Sequence, residues 1–334
     1  MGQIVEETSF SPGMRPDVAP RAAASLRVSA TDRCDLRCRY CRTGLEEYEA
    51  ADRMLPPLSQ LATAAGWVVR HLGATRLKIT GGEPLLRRGL VEFVRELSRH
   101  PGVEEVSMTT NGTRLEALAQ GLANAGLSRV NVSLDTLDPI RFRELTRGGA
   151  LETVLAGIGA AKEAGLEPVK LNAVLRRSSF ERDVPDLLAF AAENDVEIRF
   201  IELMRTGPAA AFAEREFVSS REVRERLGLV GALERAASAG GPARRLRVRC
   251  RGVESRTGWI EPVSHSFCTG CRRLRLDARG CLRRCLMDPE PFPLLERLNG
   301  GEDGGLEEDV DRFLRRKRSP LSFETPRSMA AIGG

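Results

Sequence analysis

Short apolar runs alternate with helix-like stretches through the first two thirds of the chain, and this alternation limits the fold more than any other feature. Several helical stretches end in glycine, as at Gly73, Gly126 and Gly165, before the next apolar run begins. Glycine readily adopts the left-handed conformation that closes a helix. Repeated strand–helix–strand units imply parallel strands joined by right-handed crossovers, and so an α/β fold.

Six strand-forming segments are predicted before residue 205. Six units are fewer than the eight of a complete barrel, so we expect an open or partial barrel, with a doubly wound sheet as the alternative. In both folds, functional residues collect at the C-terminal ends of the strands. The predicted strands are Leu26–Ala30, Arg76–Thr80, Glu105–Thr109, Arg129–Leu134, Pro168–Leu175 and Glu197–Leu203, and the predicted helices are Leu58–Leu72, Leu90–Arg99, Leu115–Ala125, Leu151–Ala164 and Val184–Asn194.

The remaining segments are less regular and divide the chain into three regions. Residues 1–25 are predicted to form an irregular arm, residues 26–230 the barrel, and residues 231–334 a C-terminal extension. Within the extension, Ala232–Arg249 is rich in Ala, Gly and Arg and is predicted to be an irregular connection. Leu306–Lys317 is predicted to form a short amphipathic helix.

Composition excludes several classes of protein. The chain has no run of eighteen apolar residues, so we expect no membrane span. Its first 25 residues lack the apolar core of a secretory signal, so the cytoplasm is the expected compartment. The net charge is +5, but no dense basic run is interleaved with aromatic residues, so we expect no nucleic-acid partner.

Eight cysteines fall into two groups at opposite ends of the chain. Cys34, Cys38 and Cys41 follow the first predicted strand, with spacings of three and two residues between them. In a cytoplasmic chain such grouping indicates metal or redox chemistry. Three thiolates holding a four-iron cluster would leave one iron open to another ligand. There are two alternatives: a zinc site whose fourth ligand comes from another part of the chain, and three thiols that bind no metal.

The later group is more ambiguous. Cys268, Cys271 and Cys285 again supply three thiolates, and Cys250 or Cys281 could supply a fourth. Two cysteine pairs are also typical of a zinc ribbon. The residues alone therefore favour zinc and iron–sulfur chemistry equally.

Five predicted strands each carry a polar residue in an otherwise apolar run. A charge within a buried strand is costly unless it faces a polar cavity or a partner. Lysine is also scarce, since only four of 51 basic residues are lysines, and two of them are in this set. We therefore expect a shared anion site inside the barrel, formed by Arg27, Lys78, Thr109, Lys170 and Arg199.

The first cysteine group resembles that of the radical S-adenosylmethionine superfamily. Tyr40 occupies the aromatic position before the last cysteine, and Gly81-Gly82-Glu83-Pro84 resembles the superfamily's glycine-rich element after the second strand. The resemblance implies a 4Fe–4S cluster whose open iron chelates S-adenosylmethionine and donates the electron that yields a 5′-deoxyadenosyl radical. Glycines there would let the backbone approach the bound methionyl group.

The order of motifs over most of the chain resembles the GTP 3′,8-cyclase family, which performs the first step of molybdenum cofactor biosynthesis. Thr109-Thr110-Asn111-Gly112, Asn131-Val132-Ser133-Leu134-Asp135 and the terminal Gly333-Gly334 recur in that family. The resemblance implies a partial (βα)6 TIM-like barrel of the radical S-adenosylmethionine type, closed by a C-terminal iron–sulfur extension. It also implies two 4Fe–4S clusters, with the second contacting guanine and the Gly-Gly tail reaching into the active site.

The same resemblance implies the role of each site residue. Arg273 and Arg275 are expected to be catalytic. The sequence departs from the family pattern at two positions near the first cysteines, since Arg42 and Asp35 stand where the family commonly has Met and Asn. The implied cluster ligands are Cys34, Cys38, Cys41, Cys268, Cys271 and Cys285; the implied S-adenosylmethionine contacts are Tyr40, Gly82, Ser133 and Met204; the implied GTP contacts are Arg27, Lys78, Thr109, Lys170, Arg199, Arg273, Leu274 and Arg275.

The implied reaction begins when the radical takes hydrogen from ribose C3′, and the carbon radical then attacks guanine C8 to give 3′,8-cyclo-7,8-dihydro-GTP. A flavodoxin- or ferredoxin-like electron donor and a downstream cyclic pyranopterin monophosphate synthase are the implied partners, and a homodimer is left open. Three alternatives remain: a radical S-adenosylmethionine peptide- or protein-modifying enzyme with an auxiliary cluster, a zinc-ribbon nucleic-acid binder, and an inactive scaffold.

Overall fold

The computed structural model describes residues 23–42, 54–233, 242–268, 271–301 and 304–317. The first 22 residues of the predicted arm and the Gly-Gly end lie outside these ranges. One sheet of eleven strands carries the fold, in the order β11-β10-β1-β2-β3-β4-β5-β6-β9-β8-β7. The strands are Ser25–Ser29 (β1), Arg76–Thr80 (β2), Glu105–Thr110 (β3), Arg129–Ser133 (β4), Lys170–Val174 (β5), Glu197–Ile201 (β6), Val230–Leu233 (β7), Arg244–Cys250 (β8), Val253–Ile260 (β9), Arg273–Leu276 (β10) and Leu282–Arg283 (β11).

The predicted strand–helix units are present and their strands are parallel, which confirms the α/β prediction. Gly73 and Gly165 close their helices with φ values of +68° and +74°, as the sequence predicts. The helices are Leu58–Leu72 (α1), Leu90–Arg99 (α2), Leu115–Asn124 (α3), Pro139–Thr146 (α4), Leu151–Glu163 (α5), Phe180–Glu193 (α6), Ala210–Glu216 (α7), Ser220–Arg226 (α8), Leu294–Asn299 (α9) and Leu306–Arg315 (α10).

Two helices before residue 205 differ from the sequence prediction, and α7, α8 and α9 beyond it were not predicted. The helix α4 was not predicted; it begins at Pro139, and the Asp138 carboxylate accepts a hydrogen bond from the Arg141 N–H at 2.9 Å. An Asp at the N-cap followed by a Pro at the first helical position is a common start of a helix. The helix α4 has only eight residues, which leaves little apolar periodicity to predict it from. The helix α6 begins at Phe180, four residues before the predicted start, and contains Pro185. A proline within a helix weakens the sequence signal because it removes one backbone hydrogen bond.

The two faces of the parallel strands differ in chemistry. Leu26, Val28, Leu77 and Ile79 are at most 1% exposed and belong to the main apolar core. The residues between them face the other side, where Arg27 stands beside Lys78 in the strand register. Because successive residues of a strand point to opposite faces, this alternation gives the parallel sheet one apolar face and one polar inner face. A parallel sheet covered by apolar layers on both sides would instead have apolar residues on both faces.

The sheet curls around this polar face. Burial and nearby arginines, Arg273 and Arg199 among them, lower the pKa of Arg27 to about 10. Four strands separate Arg27 from Arg199 in the sheet order, so a flat sheet would hold them far apart. Their electrostatic contact therefore indicates a partial barrel.

The C-terminal extension adds strands to both edges of the six-stranded barrel. The strand β10 pairs with β1 and β9 pairs with β6, both in parallel. The strand β8 covers residues 244–250, where the sequence predicts an irregular connection. Residues 245–249 alternate arginine with Leu or Val as a half-buried strand does, but the Ala-, Gly- and Arg-rich composition of the surrounding segment obscured this signal. Within the described ranges, no helix is long and apolar enough to cross a membrane.

Candidate functional site

The N-terminal cysteine loop, residues 34–41 with Cys34, Cys38 and Cys41, follows β1 at the C-terminal edge of the barrel. The Cys38 carbonyl accepts the Cys41 N–H at 2.9 Å, which closes a tight turn between two of the thiols. Backbone N–H groups of Arg37 and Arg39 donate to the end of α4 at 3.0 Å each. The unpredicted helix α4 therefore holds the loop in place.

The Gly81-Gly82 element braces the same loop from the end of β2. The Gly82 N–H donates to the Thr31 carbonyl at 2.8 Å, and the Glu83 N–H donates to the Arg33 carbonyl at 2.7 Å. A Cβ on Gly82 would lie 2.2 Å from the Arg33 carbonyl oxygen, far inside contact distance. Glycine is therefore needed here for the approach of two backbone segments, a role that the sequence analysis did not assign.

Glu83 connects this brace to β3. Its carboxylate is fully buried and accepts hydrogen bonds from Thr110 Oγ1 at 2.7 Å and the Asn111 N–H at 2.6 Å. Burial raises the pKa of Glu83 to about 7, although these hydrogen bonds favour the ionised form. Asn111 Nδ2 in turn donates to Asp35 at 2.7 Å and lies 3.8 Å from Cys34 Sγ. The motifs quoted from the sequence thus meet around one cysteine.

Tyr40 is held by a residue that the sequence analysis gave no role. Its hydroxyl donates to Asp135 Oδ2 at 2.6 Å, and Asp135 Oδ1 accepts the Val174 N–H at 2.7 Å. Burial raises the pKa of Asp135 above its ordinary value, against the opposing charge of Arg176. The signal in the sequence was the recurring Asp at the end of β4, within a motif already noted.

The thiols of this loop fit a cationic iron–sulfur group. Burial and neighbouring carboxylates raise the pKa of Cys34 to about 12, and burial together with Cys41 and Asp135 raises that of Cys38. Thiolates in such a setting require compensating positive charge, which iron provides. Within the described residues, no three His, Cys, Asp or Glu side chains converge on a single metal ion. A cluster of several irons spreads its ligands more widely than one ion does.

The polar residues predicted on five strands share the inner face. Burial lowers the pKa of Lys78 far below its ordinary value, and the Arg27, Arg199, Arg129 and Lys170 charges lower it further. In the part of the chain that the structure describes, no carboxylate pairs with Lys78 or Arg27. Thr109 lies on the same face, because it stands beside Asn131 and Asn131 stands beside Lys170. This inner face is a row of cations suited to an anion.

The strand β10 brings two more arginines to this row. Arg273 stands beside Ser25 in the register, and Arg275 stands beside Arg27. Burial, then Arg27 and Arg273, lower the pKa of Arg275. Leu274 is 4% exposed and packs on the opposite face, so only its backbone could reach a ligand in the barrel.

The C-terminal cysteine set, Cys268, Cys271 and Cys285, is assembled by a hairpin. Arg275 stands opposite Arg283 in the antiparallel pair, so the return strand carries Cys285 back toward Arg273 and Cys271. Cys281 lies at the other end, where its carbonyl accepts the Asp277 N–H at 3.0 Å. Cys250 packs against the apolar core. Register thus brings Cys285 toward Cys271, and the Cys271 N–H donates to the Cys268 carbonyl at 3.1 Å.

Cations surround this set. Arg273 Nε lies 3.4 Å from Cys271 Sγ, and Lys317 Nζ lies 4.0 Å from it. Burial alone would raise the pKa of Cys271, but Arg273 and Lys317 lower it below its ordinary value. Lys317, one of the four lysines, was not predicted as a site residue; its scarcity was the available signal.

The two cysteine groups lie at opposite ends of the barrel. The N-terminal loop follows the end of β1, whereas Cys271 precedes the start of β10, which runs parallel to β1. The five residues of β1 span roughly 16 Å, and the cationic row lies between these levels. Ser133 ends β4 and Met204 follows β6, so both are at the edge that carries the N-terminal loop.

Comparison with known proteins gives a consistent result. Residues 28–191 match the Radical SAM superfamily and residues 196–323 match Molybdenum Cofactor Synthesis C. The chain is 42% identical over 301 residues to GTP 3′,8-cyclase 1 of Pseudomonas aeruginosa, covering 89% of this chain and 91% of that protein. It is 42% identical over 318 residues to GTP 3′,8-cyclase of Peptoclostridium acidaminophilum, covering 92% and 95%.

A solved structure shares the fold. Streptococcus suis SuiB bound to S-adenosylmethionine superposes with a TM-score of 0.61 at 16% identity, covering 88% of this chain and 68% of that one. At this identity the likeness concerns architecture alone.

Proposed function

This chain belongs to the GTP 3′,8-cyclase family of the radical SAM superfamily, and on that basis we propose that it converts GTP to (8S)-3′,8-cyclo-7,8-dihydroguanosine 5′-triphosphate, the first step of molybdenum cofactor biosynthesis. The observation that carries the proposal is the placing of a cationic inner row between two cysteine groups at opposite ends of one barrel. A triphosphate requires such a row, and a radical reaction requires a source of the radical beside it.

Cys34, Cys38 and Cys41 would hold one 4Fe–4S cluster, with S-adenosylmethionine beside Tyr40, Gly82, Ser133 and Met204. When bound there, the cluster and S-adenosylmethionine supply a 5′-deoxyadenosyl radical. The chain's own part is rigid placement: Glu83 and Asp135 fix the backbone of β3 and the Tyr40 hydroxyl through buried hydrogen bonds. Rigid placement matters because small displacements of reacting atoms cost large factors in rate.

Cys268, Cys271 and Cys285 would hold a second 4Fe–4S cluster at the opposite end. Arg27, Lys78, Thr109, Lys170 and Arg199 would bind GTP, together with Arg273, Arg275 and the Leu274 backbone. Guanidinium groups donate paired hydrogen bonds to phosphate oxygens and keep their charge. We propose that Arg273 and Arg275 also act during catalysis; the position of Arg275 beside Arg27, and of Arg273 next to Cys271, supports this role.

The remaining parts of the proposal concern partners. A flavodoxin- or ferredoxin-like protein supplies the electron, and a cyclic pyranopterin monophosphate synthase takes the product. All eight cysteines are free thiols, which suits the reducing cytoplasm.

Anaerobic reconstitution with iron and sulfide, followed by incubation with S-adenosylmethionine, reductant and GTP, tests the proposal. We expect 5′-deoxyadenosine and the cyclised nucleotide in equal amounts, and about eight irons per chain if two clusters form. Abundant 5′-deoxyadenosine without a nucleotide product would reject the substrate. A protein that needs a peptide before it cleaves S-adenosylmethionine would instead support the peptide-modifying alternative.

A further inference from the structure

A cavity of about 380 Å³ opens where the extension meets the barrel, at the N-terminal ends of β5 and β6. Strands β8 and β9 supply the rest of its wall. We call it the arginine pocket; its lining residues are Pro168, Lys170, Glu197, Arg245, Arg247, Arg256 and Thr257.

Among the described residues the pocket carries more positive than negative charge, although Glu254 pairs with Arg247 at 3.3 Å and Asp195 pairs with Arg256 at 2.6 Å. Glu197 is the acidic residue of its wall, and it is shared by Arg199 at 2.6 Å, Lys170 at 3.5 Å and Arg245 at 3.7 Å. One carboxylate cannot neutralise three cations, so two positive charges are left over. Half-buried positive charge of this kind is costly without an anion, because burial favours the neutral form.

The wall is shaped for these cations. Gly258 stands beside Arg199 and opposite Arg245 in the strand register. A Cβ there would lie 3.1 Å from Arg199 Cγ and 3.2 Å from the Ala243 Cβ. The glycine therefore leaves room beside β9 for the Arg199 stem, which pairs with Glu197 on its own strand, and it keeps Arg199 and Arg245 on one surface.

The pocket continues into the inner row. Lys170 and Arg199 lie close together, because both pair with Glu197, at 3.5 Å and 2.6 Å; burial first and Arg199 second lower the pKa of Lys170 to about 8. Both also act on Lys78 deeper in the barrel. A ligand that spans the row and the pocket must be elongated and anionic along its length, as a phosphate chain is.

We propose that the arginine pocket seats the distal phosphates of the nucleotide and that Arg245 and Arg247 determine the preference for a triphosphate over a monophosphate. This inference rests on the proposed function, because it names how that substrate is recognised. The two arginines come from β8, so the extension contributes to specificity as well as to the second cysteine set.

Titration calorimetry on the reconstituted, anaerobic full chain tests the inference, with GTP, GMP and inorganic tripolyphosphate as ligands. In Arg245→Ala we expect GTP affinity to fall about tenfold or more, the loss typical of one charge-assisted hydrogen bond, and GMP affinity to stay within about twofold. Arg245→Lys keeps the charge and should retain part of the preference. Arg249→Ala is the matched control, because Arg249 is on the same strand, exposed and outside the pocket wall.

Equal losses for GTP and GMP in Arg245→Ala, or no loss for either, would overturn the inference. Wild-type protein that binds GMP as tightly as GTP would overturn it too, while leaving the proposed reaction intact. If the wild type binds no GTP, the proposed function fails, and the titration with tripolyphosphate then tests the pocket by itself. Weaker tripolyphosphate binding in Arg245→Ala than in the wild type would support a phosphate site in the pocket, and equal binding in the two proteins would contradict it. A melting temperature close to that of the wild type shows that each variant is folded.

Discussion

The two cysteine groups each have three thiols, but the charges beside Cys34 and Cys271 are opposite. The N-terminal loop lies among Asp35, Glu83 and Asp135, and the pKa of Cys34 is raised to about 12 by burial first and by carboxylates after it. Arg273 and Lys317 flank Cys271 at the other end, and they lower its pKa. Cys34 and Cys271, one thiol from each group, therefore lie in opposite electrostatic fields.

This contrast matches the charge of what each end is proposed to hold. S-adenosylmethionine carries a sulfonium cation, which carboxylates favour, and GTP carries several negative charges, which arginines favour. On this proposal the barrel separates a cation-binding end from an anion-binding end. Such a field would orient both ligands before any reaction, at no cost during the chemical step.

The largest expected effect comes from removing one thiol at each end. Cys38→Ala should abolish S-adenosylmethionine cleavage, a loss beyond about 100-fold, because it removes a ligand of the radical-generating group. Cys285→Ala should still form 5′-deoxyadenosine but make little cyclised nucleotide. Product analysis with iron determination measures both. Equal loss of cleavage in the two variants would contradict the division of labour.

The brace of the N-terminal loop gives the next largest effect. Gly82→Ala forces a Cβ against the Arg33 carbonyl, and overpacking of this kind costs about 1–3 kcal/mol. We expect weaker S-adenosylmethionine binding, measured by calorimetry, and unchanged GTP binding. Gly159→Ala is the control, since a Cβ on Gly159 in α5 meets nothing within 4 Å. A Gly82→Ala variant that loses GTP and S-adenosylmethionine affinity together would show a global defect.

The anion-binding end should depend on pH in a defined direction. Lys170, with its pKa lowered to about 8 chiefly by burial, is an ammonium below that pH and neutral above it. GTP affinity should therefore fall as pH rises from 7 to 9, by up to about tenfold if binding needs the charged form. Lys170→Arg should flatten the profile, because arginine stays protonated. A profile that is the same in both proteins would assign the titration to GTP itself.

The smallest effect is expected for Cys281, which lies at the opposite end of the β10–β11 hairpin from Cys271. Cys281 lies beside Asp277, and burial followed by that carboxylate raises its pKa to about 11. Cys281→Ala should leave iron content and turnover within about twofold of wild type. Loss of iron comparable to that in Cys285→Ala would show that the second group has four protein ligands.

Sequence pattern was sufficient for the strand–helix core. Periodicity and closing glycines located the strands β1 to β6 and the helices α1, α2, α3 and α5 to within a residue or two, because each element is decided by its own side chains. Sequence pattern was not sufficient where a strand forms by pairing with other strands of the extension. The strand β8 is arginine-rich, and it lies between two antiparallel partners, β9 along its whole length and β7 over four residues.

The site divides in the same way. Cysteine spacing indicated which thiols could share a cluster in the N-terminal loop, and scarce lysines indicated Lys78 and Lys170. Nothing local in the sequence linked Tyr40 to Asp135, or Gly82 to Arg33, since these contacts join segments from different strands. The resemblance already implied Cys285 rather than Cys281, but that residue 285 returns toward Arg273 follows only from the register of a hairpin.

The order of apolar and polar residues along the chain was enough to determine the elements, the polar inner face and the two sets of thiols. Tertiary structure alone decided which ends of the barrel those thiols occupy, because β10 joins the sheet beside β1 from almost 250 residues away. Local interactions act within a few residues, whereas strand pairing and electrostatic fields act across space. The opposed fields at the two ends therefore exist only once the chain is folded.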